Sequence, residues 1–156
     1  MPLLQRHAVL IEEASPRIRV SSVSPEEAIR RHYAESLELL RIMESSGPLP
    51  QLADVGSGGG YPGLVIAAVR PELEIVLIEP LQKRARLLTE LATALDLRNV
   101  QVQAIRAEEA GRSALRDSCS VVAARAVANL SELLEYTAPL TADHGRIYLP
   151  KGSAFG

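Results

Sequence analysis

Cysteine is almost absent from this sequence, because Cys119 is the only one among 156 residues. A single cysteine excludes an internal disulfide and a metal cage built from thiolates. The three histidines, His7, His32 and His144, are widely separated along the chain, and none lies close to the cysteine. The sequence therefore predicts no metal site.

Long apolar runs and a strong excess of charge are also missing. No stretch is long enough to cross a bilayer, and the N-terminus lacks the basic start, apolar centre and cleavage site of a signal peptide. The net charge of −2 does not indicate a nucleic-acid binder, so any such role would need a local basic surface. With 47% hydrophobic and 23% charged residues, we expect a cytoplasmic globular protein without a membrane partner.

From residue 49 onward, apolar strand patterns alternate with helical patterns. The predicted strands cover residues 51–55, 74–79, 100–105, 119–124 and 145–150. The predicted helices between them cover residues 62–69, 82–95, 108–116 and 130–138. Such alternation predicts an α/β fold with a mostly parallel sheet and helices on both faces.

Two helices are predicted before this alternation begins. The first covers about residues 3–14, and the second starts at Ser24, which forms a capping box with Glu27. The second helix carries an apolar stripe that would pack across the sheet. The expected division is residues 1–48 for a helical accessory segment and 49–156 for the core of one compact domain.

The stretch LADVGSGGGYPG, residues 52–63, joins the first predicted strand to a helix through a glycine-rich loop. Glycines let a loop adopt positive φ and bring its backbone amides close to a ligand. Gly58, Gly60 and Gly63 match the dinucleotide fingerprint G-x-G-x-x-G, and Glu79 follows about 20 residues later. A dinucleotide is therefore one candidate ligand, and a glycine loop without a cofactor is another interpretation.

A second register of the same loop starts from an acidic residue. Asp54 precedes Gly56 and Gly58, and its carboxylate would repel a pyrophosphate but suit a ligand with a cationic amino-acid end. With the acid at Glu79, this register resembles the cofactor loop of class I S-adenosylmethionine methyltransferases. S-adenosylmethionine is the cofactor that this pattern favours.

Charged residues recur where the predicted strands end, and in such sheets ligands bind beyond the carboxyl ends of the strands. These residues are Asp54, Glu79, Arg125 and Lys151. Arg125 ends a strand without charge and needs a partner once desolvated. That partner would be either a ligand or a structural pair with Asp54 or Glu108. Glu108 itself, after the third strand, either contacts adenine or stabilises a helix start.

Basic residues cluster in the first turns of the helix after the second strand, at Lys83, Arg84 and Arg86. The helix dipole makes positive charge mildly unfavourable there. One interpretation is a solvated helix whose cations pair with Glu79 or Glu90. The other is a surface that neutralises the phosphates of an anionic polymer. His32 is a further candidate on the substrate side.

Several sequence blocks in a fixed order resemble one known family. The blocks are PEEAIRRHYAESLELL, DVGSGGGYPG, IEPLQKRARLL, RAEEA, ARAVANL and LPKG. Together they are similar to the bacterial small-subunit ribosomal RNA guanine-N7 methyltransferases, also called the glucose-inhibited division protein B family. The resemblance runs from about residue 21 to residue 152 and implies a Rossmann-like class I methyltransferase fold.

The resemblance implies S-adenosylmethionine as cofactor and a guanine of 16S ribosomal RNA, free or in the small subunit, as substrate. The implied cofactor contacts are Gly56, Tyr61, Glu79, Ala107, Glu108 and Arg125, with Asp54 and Gly58 added from the loop. Lys83, Arg84 and Lys151 match basic positions near the RNA, where His32 would also lie. We expect Arg125 and Lys151 to be the catalytic residues and Asp54 to hold the cationic part of the cofactor.

Family members continue beyond Gly152 into two further strands that complete the sheet, so the usual final strands are expected to be missing here. With its sheet edge exposed, such a chain is expected to be unstable, to pair with another copy, or to be only part of the native protein. Two alternatives stay open: a methyltransferase-like domain that binds cofactor or RNA without turnover, and an NAD-dependent oxidoreductase.

Overall fold

The computed structural model describes residues 2–14, 27, 29–125 and 129–150. The strands are β1 (Gln51–Val55), β2 (Glu74–Ile78), β3 (Val100–Gln103), β4 (Cys119–Ala124) and β5 (Thr141–Tyr148). They form one sheet in the order β3-β2-β1-β4-β5, in which every pairing is parallel. The order reverses between β1 and β4, which is the place where such sheets bind ligands. The predicted parallel α/β sheet is confirmed.

The helices cover both faces of this sheet. They are α1 (Pro2–Ala14), α2 (Ala34–Ser45), α3 (Gly63–Val69), α4 (Gln82–Ala94), α5 (Ala107–Ala110) and α6 (Leu130–Thr137). A π-helical turn, Ile29–Tyr33, leads directly into α2, and a 3-10 turn, Ala138–Leu140, precedes β5. The predicted helix at residues 3–14 is confirmed. Ser24, from which the second helix was predicted to start, lies outside the described residues.

Alternating side chains along the strands build a separate apolar core on each face, as strand geometry requires. Leu52 of β1 packs on one face with residues of the first four helices, among them Ile11, Met43, Leu64 and Leu88. Ala53, the next residue, faces the other side with Val76, Val122 and Leu140. The site-bearing strands β1, β2 and β4 are therefore central and buried.

The last strand differs from its prediction, since β5 begins at Thr141 rather than at residue 145 and ends at Tyr148 rather than at residue 150. Cys119 pairs with Thr141 but Val121 pairs with Arg146, so the register of β5 shifts between these pairs. His144, inside the irregular part, has a positive φ of 61°. A bulge of this kind interrupts the alternation of apolar residues from which strands are predicted.

The third strand and the helix after it are shorter than predicted. The strand β3 ends at Gln103 instead of residue 105, and α5 covers four residues instead of 108–116. After α5 the Ser113 hydroxyl donates to the Ala110 carbonyl at 2.7 Å. Such a local side-chain bond competes with the next helical bond, so the chain continues as turns.

Candidate functional site

Asp54 lies near the carboxyl end of β1 and is fully buried. Its Oδ2 accepts a hydrogen bond from the Gly63 amide at 2.9 Å, at the start of α3, while its Oδ1 is buried without a hydrogen-bond partner. Burial raises the pKa of Asp54 to about 7, and the bond from Gly63 opposes that rise. A buried carboxylate oxygen without a donor is costly, and it offers a strong acceptor to a cationic ligand.

The glycines of the loop after β1 fall into two groups. Gly56 and Gly58 have positive φ angles of 74° and 55°, and a Cβ on either would meet no protein atom closer than 4.0 Å. A Cβ on Gly63 would lie 2.2 Å from Leu77 Cδ2 and 2.7 Å from Asp54 Oδ2. Gly63 therefore serves internal packing, whereas Gly56 and Gly58 border open space that a ligand could enter.

Glu79 holds the glycine loop from the side of β2. Although it follows the strand end, only 3% of Glu79 is exposed. Its Oε2 accepts from the Gly58 amide at 3.1 Å and its Oε1 from the Leu81 amide at 3.1 Å. Within the described residues Glu79 forms no ion pair with Lys83 or Arg86, so the interpretation in which these cations pair with Glu79 is not supported, and its carboxylate accepts from backbone amides instead.

His7 holds the same loop from the side of α1. Its Nε2 lies 3.0 Å from the Gly59 carbonyl oxygen, and its Nδ1 lies 2.6 Å from the Tyr33 hydroxyl. The rings of Tyr33 and Tyr61 pack edge-on against His7 at centroid distances of 5.6 and 5.3 Å. This aromatic cluster, defined as His7, Tyr33 and Tyr61, closes the buried side of the loop.

Arg125 follows β4 and reaches into the N-terminal helices. Its Nη2 donates to Glu35 Oε2, and its Nη1 lies 2.9 Å from His32 Nδ1. The alternative in which Arg125 pairs directly with Asp54 or Glu108 is therefore wrong. The charge of Arg125 nevertheless opposes the rise in the pKa of Asp54. An ion pair with Glu35 partly offsets the cost of desolvating the guanidinium.

His32 lies between Arg125 and the loop. Its ring stacks on Tyr61 with a centroid distance of 4.7 Å and an angle of 26° between the planes. Burial, and then the charge of Arg125, lower the pKa of His32, which keeps the ring neutral at physiological pH. The structure thus brings His32, Tyr61 and Arg125 together beside the loop that Glu79 also contacts.

The remaining predicted site residues do not take part in the contacts described so far. Ala107 begins α5 and is buried, and Glu108 is exposed in the same turn, beyond β3 at the end of the sheet. Lys83 is exposed and Arg84 is half-buried in the first turn of α4, which follows the strand that carries Glu79. Lys151 lies outside the described residues.

Sequence reasoning missed His7, Tyr33 and Glu35. His7 occupies a helical stripe of buried residues with Leu4 and Ile11. A histidine at such a position is a usable signal, because a buried polar ring needs hydrogen-bond partners. Glu35 gave no comparable signal, since its contact with Arg125 joins residues 90 positions apart.

No helix among the described residues is long and apolar enough to cross a bilayer. The same residues contain no group of three or more His, Cys, Asp or Glu that could hold a metal ion.

Sheet order and the loop after β1 define the class of the protein, which has the Rossmann-like fold of S-adenosylmethionine-dependent methyltransferases. A methyltransferase from Geobacter sulfurreducens superposes with a TM-score of 0.67 at 16% identity, covering 96% of this chain and 69% of that one. Coclaurine N-methyltransferase, solved with N-methylheliamine and SAH, gives a TM-score of 0.63 at 16% identity and covers 83% of this chain and 36% of its own. At such identities the likeness establishes the fold alone.

Sequence comparison identifies the family. The chain belongs to the GidB family, described as rRNA small subunit methyltransferase G, whose family model matches residues 2–155. The ribosomal RNA small subunit methyltransferase G of Roseiflexus sp. (strain RS-1) is 42% identical over 151 residues, which is 95% of this chain and 63% of that protein. The chain therefore spans less than two thirds of the length of this relative.

Proposed function

We propose that this chain binds S-adenosylmethionine and transfers its methyl group to N7 of a guanine in 16S ribosomal RNA. The family supports this activity, and one observation of the site carries the choice of cofactor. One carboxylate oxygen of Asp54 accepts a hydrogen bond from the first amide of α3, and the other is buried without a hydrogen-bond partner. A pyrophosphate would bind at that amide, so the carboxylate disfavours a dinucleotide and favours a cationic amino-acid group.

The proposed cofactor contacts follow from the open side of the loop. The unpartnered Oδ1 of Asp54 would accept from the ammonium group, and Glu79 would reach the ribose from the end of β2. Gly56 and Gly58 present backbone without side chains toward the open space. Tyr61 supports the loop from behind, while Ala107 and Glu108 would border the adenine.

Guanine N7 carries a lone pair and no proton, so its methylation requires no general base. S-adenosylmethionine, when bound, supplies an electrophilic methyl group on a sulfonium centre. The N7 lone pair would form the new bond to the methyl carbon while the bond from sulfur to that carbon breaks and its electron pair stays on sulfur. S-adenosylhomocysteine would leave, and the positive charge would move onto the base. The residues of the chain would orient the two reactants and balance this charge. Arg125 would contact the methionine carboxylate or the base, and the Glu35 carboxylate paired with it moderates its charge.

The RNA would lie at the carboxyl edge of the sheet, beside the basic residues at the start of α4. Lys83 is exposed at the start of α4 and Arg84 is half-buried beside it. We propose that both neutralise phosphates, a contact that positions RNA without reading its sequence. His32 would lie on the substrate side beside Tyr61. Lys151, outside the described residues, stays a prediction as a second catalytic cation. A ribosomal substrate implies a cytoplasmic protein.

Two measurements test the proposed function. Calorimetry with S-adenosylhomocysteine (SAH) and, separately, with NAD should give binding of SAH alone. Transfer of labelled methyl groups to small subunits from a strain that lacks the modification should then depend on the protein. SAH binding without transfer would support the non-catalytic alternative, and NAD binding would support the oxidoreductase. An Arg125→Ala variant with unchanged turnover would remove the proposed role of Arg125.

Self-association is proposed through β5, which is an edge strand of the described sheet. An edge strand presents unpaired backbone groups that a second copy can pair with. Light scattering over a range of protein concentrations tests this pairing, and a constant monomer mass would refute it.

A further inference from the structure

His7 is in contact with the glycine loop although it lies 52 residues away in the sequence. The Gly59 carbonyl can only accept, so Nε2 of His7 must carry the proton and donate. Nδ1 is then free of a proton and accepts from the Tyr33 hydroxyl, whose pKa burial raises. The two contacts together fix one neutral tautomer of a ring that is 1% exposed.

Gly59 lies between two loop residues whose amides also donate hydrogen bonds. The preceding residue, Gly58, borders open space and gives its amide to Glu79. The following residue, Gly60, gives its amide to the Ser57 carbonyl at 2.8 Å. His7 thus holds the Gly59–Gly60 peptide group and Glu79 holds the Ser57–Gly58 peptide group, with one peptide group between them. A loop that is held before its ligand arrives loses less conformational entropy on binding.

We propose that His7 is a positioning residue that ties α1 to the glycine loop and holds the loop in its cofactor-binding shape. The proposal rests on the proposed function for the identity of the ligand. It also gives α1 a role at the cofactor site. Docking of α1 and binding of S-adenosylmethionine would then strengthen each other, because both need the same loop conformation.

A purely structural role for His7 is the competing explanation. Leu4, His7 and Ile11 form the buried stripe of α1, so any change of His7 could weaken helix packing without reaching the site. Two replacements separate the explanations. His7→Gln places an amide donor where Nε2 was and retains the bond to Gly59. His7→Asn places an acceptor where Nδ1 was and retains only the bond to Tyr33.

The experiment compares these variants with His7→Leu, which retains neither bond, and with Val9→Ala, a change at an exposed position of α1. For each variant of the 156-residue chain, calorimetry gives the Kd for SAH and thermal unfolding gives the Tm. Hydrogen exchange without ligand reports on the amides of residues 58–61. Loss of one buried hydrogen bond to the loop should weaken binding about tenfold.

We expect His7→Gln and Val9→Ala to bind SAH within about threefold of wild type, and His7→Asn and His7→Leu to bind it about tenfold more weakly. Exchange of the loop amides should be faster only in the latter two. Equal Kd values for His7→Gln and His7→Asn, or a Kd that follows the Tm in every variant, would overturn the proposal. If His7→Leu does not fold, the comparison of His7→Gln with His7→Asn still distinguishes a positioning role from a purely structural one.

The outcome for His7 is separable from that of the proposed function. If the wild-type protein does not bind SAH, the assignment of the cofactor fails, whereas hydrogen exchange still tests the link between α1 and the loop. Faster loop exchange in His7→Asn than in His7→Gln would then support positioning, and equal exchange would overturn it.

Discussion

Asp54 should make cofactor binding depend on pH in the neutral range. The proposed contact with an ammonium group requires the ionised carboxylate, but burial raises the pKa of Asp54 to about 7 in the protein without ligand. Below that pH the site is mostly protonated and must lose a proton before it binds. Binding therefore weakens as the pH falls, and each binding event at acidic pH releases a proton.

The size of the effect follows from this pKa. With a value of about 7 for Asp54, the apparent Kd for SAH should rise about 25-fold between pH 7.5 and pH 5.5. Arg125 and Glu79 are the charged groups that act on Asp54, and their effects have opposite signs. Burial lowers the pKa of His7 to about 4, so this ring stays neutral throughout the window.

Calorimetry at several pH values, in buffers of different ionisation enthalpy, measures both the Kd and the number of protons released. The matched control is Asp54→Asn, whose amide oxygen still accepts from the Gly63 amide but cannot ionise. This variant should bind weakly and without the pH dependence of the wild type. A Kd for the wild type that is constant from pH 5.5 to 7.5, or a dependence that persists in Asp54→Asn, would refute the reasoning.

Four further predictions concern residues around the loop. Gly63→Ala should lower the free energy of unfolding by about 2 to 3 kcal/mol in denaturant titrations, because the new carbon has no space. Gly56→Ala meets no such obstacle and should instead weaken SAH binding, with a smaller loss of stability. Glu79→Gln should lower the free energy of unfolding by about 1 to 2 kcal/mol, since one backbone amide loses its acceptor. Finally, the folded protein resists protonation of His7, whose pKa is lowered from 6.5 to about 4, so the stability that its neutral form contributes is lost as the pH falls through that interval. The free energy of unfolding of wild type relative to His7→Gln should therefore increase by about 3 kcal/mol from pH 4 to 6.5, and a constant difference would contradict this assignment.

The central elements of the fold were predictable because their sequence signals are local. The strands β1 and β4 match their predicted bounds at residues 51–55 and 119–124. Each is a short apolar run between polar or glycine-rich segments, as buried parallel strands are. The bounds of β5 were not predictable in this way, because the bulge adds polar residues that no alternating pattern anticipates.

The site was predictable only in part. Residues of the loop and of the strand ends could be located, because a parallel sheet brings its carboxyl ends to one edge. The contacts among these residues could not be predicted. Arg125 and Glu35 are 90 positions apart in the sequence, and His7 and Gly59 are 52 positions apart. No local pattern records a pairing at such a separation. A buried histidine on an apolar helical stripe indicates only that some partner exists.

The glycine loop shows why spacing alone could not decide between two cofactors. Both registers of glycines are present, but the glycines serve different physical needs. Gly60 and Gly63 lie against Leu64 and Leu77, where any Cβ would collide with the core. Gly56 and Gly58 border open space, where a Cβ would meet no protein atom closer than 4.0 Å and would obstruct a ligand. The G-x-G-x-x-G match therefore depends largely on packing glycines, whereas the register that begins at Asp54 contains the two open ones. Among these four glycines, a substitution that weakens binding more than it lowers stability is expected at the open pair, where the positive φ adds strain but no collision with the core.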